Sequence, residues 1–269
     1  MRFRDQVDAW MAVFAAAIRL QLVYRVANWS GLFTNSFFLF FRAYGLRACF
    51  AGRSTVGDLD ITGVVTYVTV SQALLMVIPQ WGRVEVAESV RTGQIGVDLC
   101  RPVDFYATYL AKRLGISAYY VAFRFLPLMA VGLVAGLLAP PADWTLLPVF
   151  AVTVALGAWV ANSLLFLVEV SAFWLGSERG VRYLVLGGGN LLSGLILPLS
   201  FMPDSVQALS RGLPFEYTLY LPVRVYLGDF GGWSLPSALG MQLFWAVALA
   251  LSCRLALAAG VRKLVVQGG

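Results

Sequence analysis

The charged residues that could do chemistry are concentrated in one interval. The stretch "RVEVAESVRTGQIGVDLCRPVDFYATYLAKRLG", from Arg83 to Gly115, is the longest charged, amphipathic interval in a sequence that is otherwise mostly apolar. It holds no nucleophile paired with a base and no cluster of metal ligands, and the whole chain has no histidine. Short elements that combine charges with apolar anchors are typical of a docking surface rather than of a catalytic pocket. The alternative is a solvated loop that binds nothing.

The spacing within this interval predicts local structure. Val84 to Val90 has helical spacing, and Thr92 and Gly93 break it. Arg101 and Pro102 form a stop, after which Asp104 is placed to cap the next helix.

Other kinds of chemistry are disfavoured by spacing. Cys49, Cys100 and Cys253 lie far apart and form no paired zinc or redox motif, so we expect small packing residues. The run "GGGNLLSG", from Gly187 to Gly194, lies within an apolar stretch, where small residues favour close helix packing. The sequence lacks the G-x-x-x-x-G-K-[ST] phosphate loop. We therefore expect no cofactor on this chain and no ATP hydrolysis by it alone.

The composition places most of the chain in a membrane. Hydrophobic residues make up 59% of the 269 residues, charged residues 13%, and the mean hydropathy is +0.77, whereas soluble domains have about 25% charged residues. The net charge of +6 fits an excess of basic residues on the cytoplasmic side better than it fits nucleic-acid binding. The opening residues, "MRFRDQVDAW", lack the features of a signal peptide. We expect a multi-pass protein of the cell (plasma) membrane, surrounded by lipid.

A membrane span needs about 20 apolar residues, and long runs without Asp, Glu, Lys or Arg mark such spans. Together with two runs that contain an arginine, they predict an all-α integral membrane fold, a single transmembrane domain over residues 1–269. The six predicted transmembrane helices cover approximately 28–50, 60–81, 115–139, 145–172, 183–203 and 236–259. In residues 1–27 the apolar side chains fall on one helical face, which predicts a helix lying in the interface. The alternative for that helix is a seventh span that merges into the first.

Basic residues set the orientation. With the N-terminus inside, cytoplasmic segments hold thirteen of the 20 lysines and arginines, and outer segments hold four. This predicts that both termini are cytoplasmic and that residues 82–114 form a cytoplasmic loop. The outer segment 204–235 is too long and apolar for a plain loop, and prolines divide it. We therefore expect a re-entrant outer hairpin. Its irregular backbone at membrane depth must be shielded by protein or face a wet cavity.

A few charges fall within the predicted spans. Arg124 lies about 16 Å along the helix from Arg113, near mid-depth, where an arginine costs about 2.5–3.5 kcal/mol on insertion scales. It is either a gating or translocation-path residue or a structural partner for a carboxylate or for helix-end carbonyls. Glu169 and Arg254 fall near the inner ends of their spans, which suggests a structural ion pair.

The first predicted span carries an arginine and an aromatic run. Arg42 lies past mid-depth and is expected to extend outward to the interface. The aromatic residues, which include Phe37, Phe41 and Tyr44, face lipid, a partner subunit or a hydrophobic substrate. Arg42 and these aromatic residues are the weaker candidates for a translocation path.

Two stretches carry a family resemblance. In "ESVRTGQIGVDLCRPVDFYATYLAKRLG" an arginine–glycine step at Arg91 to Gly93, an apolar triplet from Ile95 to Leu99, a Leu-x-Arg-Pro step ending at Pro102 and the aromatic pair Phe105 and Tyr106 follow in order. The proline-punctuated "LILPLSFMPDSVQALSRGLPFEYTLYLPVRVYLG" follows near the far end. With six spans and an N-terminal interfacial helix, this order resembles a subfamily of type-2 ABC exporter permeases.

The resemblance implies an export subunit driven from outside the chain. In that family the first cytoplasmic loop docks on a separate ATP-binding subunit, which carries the ATP and magnesium, and two permeases, identical or related, form the path. The loop residues expected to contact the ATPase are Glu85, Glu88, Arg91, Ile95, Val97, Leu99 and Arg101. The exported compound stays open: a small amphiphilic or toxic compound, a natural product, a lipid or a peptide.

Three other functions remain as alternatives. A lipid-modifying membrane enzyme would need a cluster of polar catalytic groups at one membrane face, and a secondary transporter often shows internal repeats and central ionisable pairs. A membrane anchor or assembly subunit would bind the ATPase without transporting anything.

Overall fold

The chain folds as an α-helical protein, as the sequence predicts. The computed structural model describes residues 3–23, 25–49, 55–56, 59–78, 84–230 and 234–263. Two short strands, β1 (Thr55–Val56) and β2 (Leu59–Asp60), pair in antiparallel fashion. Arg83, the ends of two predicted spans (residue 50 and residues 79–81) and residues 231–233 of the predicted outer hairpin lie outside the described residues.

In chain order the described α-helices are α1 (Phe3–Val23), α2 (Arg25–Cys49), α3 (Ile61–Leu75), α4 (Glu85–Thr92), α5 (Ile95–Leu99), α6 (Phe105–Tyr120), α7 (Leu126–Val134), α8 (Leu147–Val170), α9 (Ala172–Leu175), α10 (Arg179–Leu192), α11 (Asp204–Arg211), α12 (Tyr220–Leu227) and α13 (Leu235–Val261). A π-helical turn over Val121–Phe125 joins α6 to α7, and a 3₁₀ turn over Trp144–Leu146 precedes α8.

Four helical stretches of the described residues are long and apolar enough to cross a membrane. They are Arg4–Val23, Phe105–Val134, Trp144–Leu175 and Leu235–Val261. The last three correspond to predicted spans. The first is the predicted interfacial helix, and its length and composition also suit the alternative of an additional span. Two other predicted spans correspond to shorter helices, since α3 has 15 residues and α10 has 14.

Local sequence signals explain where several helices begin and end. The Asp60 carboxylate accepts the backbone N–H of Gly63 at 2.7 Å at the start of α3. Asp104 accepts the N–H of Ala107 at 2.6 Å, which confirms its predicted role as the N-cap of α6. Gly93 ends α4 with φ +75°, a left-handed conformation that glycine adopts without steric cost.

The bundle is built around α8, which packs against α6, α12 and α13. The buried apolar side chains of α3 and α12 share one large cluster, to which α8 contributes Phe150, Ala158 and Ala161. A second cluster brings together Val86 of α4, Ile95 of α5, Tyr109 of α6, Phe166 of α8 and Cys253 of α13. The short helices α4 and α5 are therefore anchored directly on three long helices.

Helix α10 stops at Leu192, about halfway through the span predicted over 183–203. The carbonyls beyond its last turn are bonded by side chains from elsewhere in the fold. Ser210 donates to Leu192 O at 2.5 Å, Tyr67 donates to Gly194 O at 2.7 Å, and Arg42 donates to Leu195 O. A helix can end inside an apolar environment when its carbonyls are satisfied in this way.

The segment after α10 is made of short helical pieces. Within the predicted outer segment, Asp204–Arg211 forms helix α11. Helix α12 is buried along most of its length against α8 and α3. Arg224 of α12 is 2% exposed and pairs with Asp229, so its charge is compensated within the segment.

Candidate coupling site

Helices α4 and α5 form a small two-helix platform. Val86 and Ala87 of α4 are buried, whereas Glu88 and Arg91 are exposed, so the helix is amphipathic. Ser89 donates to the Asp98 carboxylate of α5 at 3.0 Å and fixes one helix against the other. The platform thus presents one charged face and buries the opposite face.

The N-terminus of α4 is capped by a carboxylate from a different helix. The N-cap residue, Val84, provides no side-chain hydrogen bond. Instead Glu169 of α8, which is fully buried, accepts the backbone N–H of Val86 at 2.7 Å through Oε2. Its Oε1 accepts the hydroxyl of Tyr109 at 3.0 Å. A carboxylate at a helix N-terminus satisfies an otherwise orphaned N–H and interacts favourably with the helix dipole.

Glu85 of α4 is tied to α6. The Lys112 ammonium donates to Glu85 Oε2 at 2.6 Å, with the two side chains 37% and 39% exposed. The pair is half open to solvent, so its contribution to stability is small, up to about 1 kcal/mol. Its effect is to fix α4 relative to α6.

Below the platform, polar side chains join α6 to α8. Tyr106 and Ser163 share a hydrogen bond of 2.7 Å, and Arg113 donates to Asn162 at 3.0 Å. The ring of Phe166 lies between Tyr106 and Tyr109, with centroid distances of 5.2 Å and 4.9 Å. The layer beneath α4 is therefore closely packed and hydrogen-bonded, and a displacement of α4 is expected to move α6 and α8 with it.

The predicted ion pair between Glu169 and Arg254 is corrected by the structure. Arg254 donates to the Asp104 carboxylate at 3.1 Å and its guanidinium lies 5.1 Å from the Tyr106 ring centroid. Both residues do lie near the same ends of their helices, but Asp104 stands at the start of α6, nearer to α13. Glu169 is instead occupied by Val86 and Tyr109.

The predicted ATPase contacts divide into two groups. Glu88, Arg91, Val97 and Arg101 are exposed, Val97 at 59%. Ile95 is fully buried in the second cluster, which rules it out as a surface anchor, and Leu99 packs partly against the same cluster. The Arg101 guanidinium lies 3.7 Å from the Asp98 carboxylate, and the two form an ion pair at the surface. Glu85 is half-buried and engaged by Lys112.

The hydrogen-bond partner of Arg124 is a side-chain amide, which the sequence did not predict. Its guanidinium donates to Asn28 Oδ1 at 3.0 Å and 3.3 Å and lies 4.2 Å from the Tyr120 ring centroid. Asn28 in turn donates to the Tyr119 hydroxyl at 2.5 Å. The contacts favour the structural alternative for Arg124, with an amide in place of the expected carboxylate. They join α2 to the π-helical turn, and such turns are often found at functional sites.

Arg42 extends into the fold rather than outward to the interface. It donates to Gln72 Oε1 at 2.7 Å and to Leu195 O, and Gln72 donates to Asn35 at 2.9 Å. These acceptors explain why the arginine does not extend outward. Phe37, Phe41 and Tyr44 are exposed at 63%, 70% and 54%. No part of the described chain covers this aromatic face.

Several residues that hold the candidate site and Arg124 in place were not predicted from the sequence alone. Tyr109, Asn162 and Asn28 are polar residues within apolar helices, and that position was the only signal they offered. Among the described residues, no group of three or more Cys, Asp or Glu side chains is placed to hold a metal ion.

Comparison with known proteins identifies the family. No curated protein and no solved structure matched the chain. The model of a family described as "ABC-2 family transporter protein" matches residues 34–268, which include α4, α5 and the helices that support them. The family consists of membrane components without an ATPase site of their own, which typically pair with an ATP-binding subunit. The chain belongs to this ABC-2 family of transporter membrane proteins, as the sequence resemblance implied.

Proposed function

We propose that the chain is the permease subunit of an ATP-driven exporter, and that the α4–α5 platform is its contact with a separate ATP-binding subunit. ATP and magnesium bind to that partner and not to this chain. In this proposal the chain crosses the cell membrane six times with both termini in the cytoplasm, so that the platform faces the cytoplasm.

The observation that carries the proposal is the cap on α4. A surface contact transmits force only when it is attached rigidly to the part that must move. The platform meets this condition because Glu169, buried at the C-terminal end of α8, holds the first turn of α4, while Lys112 of α6 holds Glu85. A push on α4 from the partner is therefore delivered to α6 and α8, two of the long membrane helices.

The exposed residues provide a contact of mixed character. Glu88 and Arg91 contribute opposite charges from α4, Val97 an apolar side chain from α5, and Arg101 a further cation. Charges at the rim of an interface fix orientation, and apolar residues at its centre exclude water. Glu85, Ile95 and Leu99 support this surface from beneath.

A second permease, identical or related, completes the translocation path in this proposal. The exposed aromatic face of α2, with Phe37, Phe41 and Tyr44, is available to that subunit or to lipid. The segment from α11 to α12 forms a re-entrant hairpin that covers the outer exit. The exported compound in this proposal is a small amphiphilic or toxic compound, a natural product, a lipid or a peptide.

Co-purification tests the proposal. The tagged chain is extracted in mild detergent and compared with the triple variant Glu88→Ala, Arg91→Ala and Val97→Ala. A matched control carries Asp204→Ala, Leu209→Ala and Arg211→Ala on α11, another exposed amphipathic helix of eight residues. We expect an ATP-binding subunit to accompany the intact chain and the control but not the first variant.

The alternatives predict other results. A chain that is stable and brings down no ATP-binding subunit would contradict the proposal. Proton-driven transport without ATP would then favour a secondary transporter, and chemical turnover by the purified chain would favour a lipid-modifying enzyme. An anchoring role would be favoured by a different result. In that case substitutions in the membrane helices would change neither ATPase binding nor transport.

A further inference from the structure

A cavity of about 490 Å³ lies between α4 and the start of α10. It is on the same side of the molecule as the α4–α5 platform, because Val84 and Arg91 form one of its walls. Ligand sites in proteins typically measure about 300–1,000 Å³. The cavity is thus large enough to accept the headgroup of an amphiphile.

Positive charge dominates the polar wall. Among the described residues, Arg91, Arg179 and Arg182 line the cavity together with the carboxylate of Glu178. The N-terminus of α10, a helix of 14 residues, opens at the same place, and its dipole adds further positive potential. Guanidinium groups bind phosphate through paired hydrogen bonds, so the wall suits an anionic phosphate.

Glu178 provides an acceptor within the same cavity. Its side chain is 3% exposed, and its Oε2 atom is buried with no hydrogen-bond partner among the described residues. A buried oxygen in that condition is unusual and unfavourable. A ligand that offers a hydroxyl donor beside its phosphate would satisfy it.

The remaining wall is mostly apolar and open. Tyr183, Leu186 and Gly187 line it together with the amide side chain of Asn190, and Tyr183 is 78% exposed. A Cβ atom added at Gly187 would meet nothing within 4 Å, so the glycine is not required by packing inside the described chain. Tyr183 and its neighbour Leu184 are both 78% exposed on α10, so an acyl chain can continue from the headgroup along this apolar helix surface.

We propose that this cavity binds an amphiphile whose headgroup carries a phosphate and hydroxyl groups, with the phosphate on Arg179 and Arg182, a hydroxyl on Glu178 and the chain along Tyr183 and Leu186. The ligand is a membrane amphiphile rather than a free phosphate compound, because one wall of the cavity is apolar. Arg91 links the bound headgroup to the platform.

Direct binding tests the proposal. The chain, purified with whatever subunits accompany it, is titrated with phosphatidylglycerol, and bound lipid is counted by native mass spectrometry. Phosphatidylmethanol, which keeps an anionic phosphodiester but has no hydroxyl donor, is the lipid control, and sn-glycerol 3-phosphate tests the headgroup alone. We expect phosphatidylglycerol to bind at least about tenfold more tightly than phosphatidylmethanol, the ratio that one charge-assisted hydrogen bond provides. It should also bind more tightly than sn-glycerol 3-phosphate, which lacks the acyl chains that contact the apolar wall.

Two pairs of variants locate the site. Arg179→Gln with Arg182→Gln is compared with Arg262→Gln with Lys263→Gln, which removes the same charge from exposed positions outside the cavity. Gly187→Leu, which fills the cavity, is compared with Gly188→Leu at a neighbouring glycine with equally open space. We expect about tenfold weaker binding in the first member of each pair and little change in the second.

Equal losses within each pair would overturn the proposal, since lipid would then bind by charge or by helix surface alone. Tight binding of sn-glycerol 3-phosphate would also overturn it, because the apolar wall would then have no function.

Discussion

Glu169 of α8 and Val86 of α4 are 83 residues apart, and the carboxylate of the first accepts the backbone N–H of the second at 2.7 Å. The same carboxylate accepts the Tyr109 hydroxyl at 3.0 Å, so one buried side chain joins α4, α6 and α8. This junction explains how a short surface helix can be held firmly enough to move a membrane bundle.

We expect Glu169→Ala to destabilise the protein, because it leaves a buried N–H and a buried hydroxyl without an acceptor. Each lost hydrogen bond is expected to cost about 1–2 kcal/mol. Tyr109→Phe, which removes only the hydroxyl, should cost about 1 kcal/mol or less. In thermal unfolding of the detergent-extracted protein, the double variant should be less destabilised than the sum of the two. Strict additivity would show that the two side chains do not interact.

The Arg124 cluster is expected to be structural. Asn28→Ala removes the acceptor of the guanidinium and leaves a half-buried charge, so it should lower the unfolding temperature about as much as Arg124→Ala does. The double variant should be less destabilised than the sum of the two changes, because both break the shared Arg124–Asn28 contact. A variant with normal stability but no transport would instead assign Arg124 to the path or its gate.

Contact between α1 and α6 depends on Gly115. A Cβ at this position would lie 2.5 Å from the carbonyl oxygen of Phe14, which is backbone and cannot move aside. Gly115→Ala should therefore separate the two helices and lower the unfolding temperature. Gly96→Ala is the control, since a Cβ there meets nothing within 4 Å. Similar unfolding temperatures for the two variants would contradict the close approach.

The stability of the outer segment should depend on pH through Glu216. Burial raises the pKa of its carboxyl from 4.5 to about 7, against the opposing influence of Arg211 and Arg224. The Arg224 guanidinium also pairs with Asp229. Burial raises the pKa of the adjacent Tyr217 to about 12, so its hydroxyl does not titrate between about pH 4.5 and pH 7. Between about pH 4.5 and pH 7 the folded protein holds more protons than the unfolded chain, so stability falls as pH rises and then levels off.

Thermal unfolding across this pH range measures the effect. Glu216→Gln cannot titrate, so its unfolding temperature should lose this fall and exceed that of the unmodified protein above about pH 7. A pH profile that is identical with and without the glutamate would show that the carboxyl does not titrate in this window.

The proposed orientation can be read from a native cysteine. Cys100 is exposed at the end of α5 and Cys253 is buried. In a Cys49→Ser background, a membrane-impermeant maleimide added to intact cells should leave Cys100 unmodified, and permeabilised cells should allow labelling. Labelling in intact cells would place the platform outside.

Apolar periodicity and helix signals predicted much of this architecture. The spans predicted over 115–139, 145–172 and 236–259 correspond to the long helical stretches Phe105–Val134, Trp144–Leu175 and Leu235–Val261. The N-cap at Asp104 and the break at Gly93 also follow from local sequence, because they depend on neighbouring residues. Exposure of Glu88 and Arg91 follows from amphipathic spacing in the same way.

Contacts between distant helices could not be predicted. Arg254 has more than one acidic residue near its end of the bundle, and only packing selects Asp104 over Glu169. The sequence alone predicts that Ile95 is an apolar surface anchor, but the packing of α5 against α4 buries its side chain. Helix α10 can end at Leu192 because Ser210, Tyr67 and Arg42 donate hydrogen bonds to the carbonyls at and just after its end. These three residues lie far apart in the sequence.

Photocrosslinking from Val97 tests the central claim most directly. A photoreactive amino acid at this exposed position, activated in whole cells, should crosslink to the ATP-binding subunit. The same amino acid at Leu209 of α11, which is 56% exposed against 59% for Val97, should not. An ATPase crosslink from Leu209, or none from Val97 in a protein that is stably inserted, would contradict the assignment of the α4–α5 platform as the coupling contact.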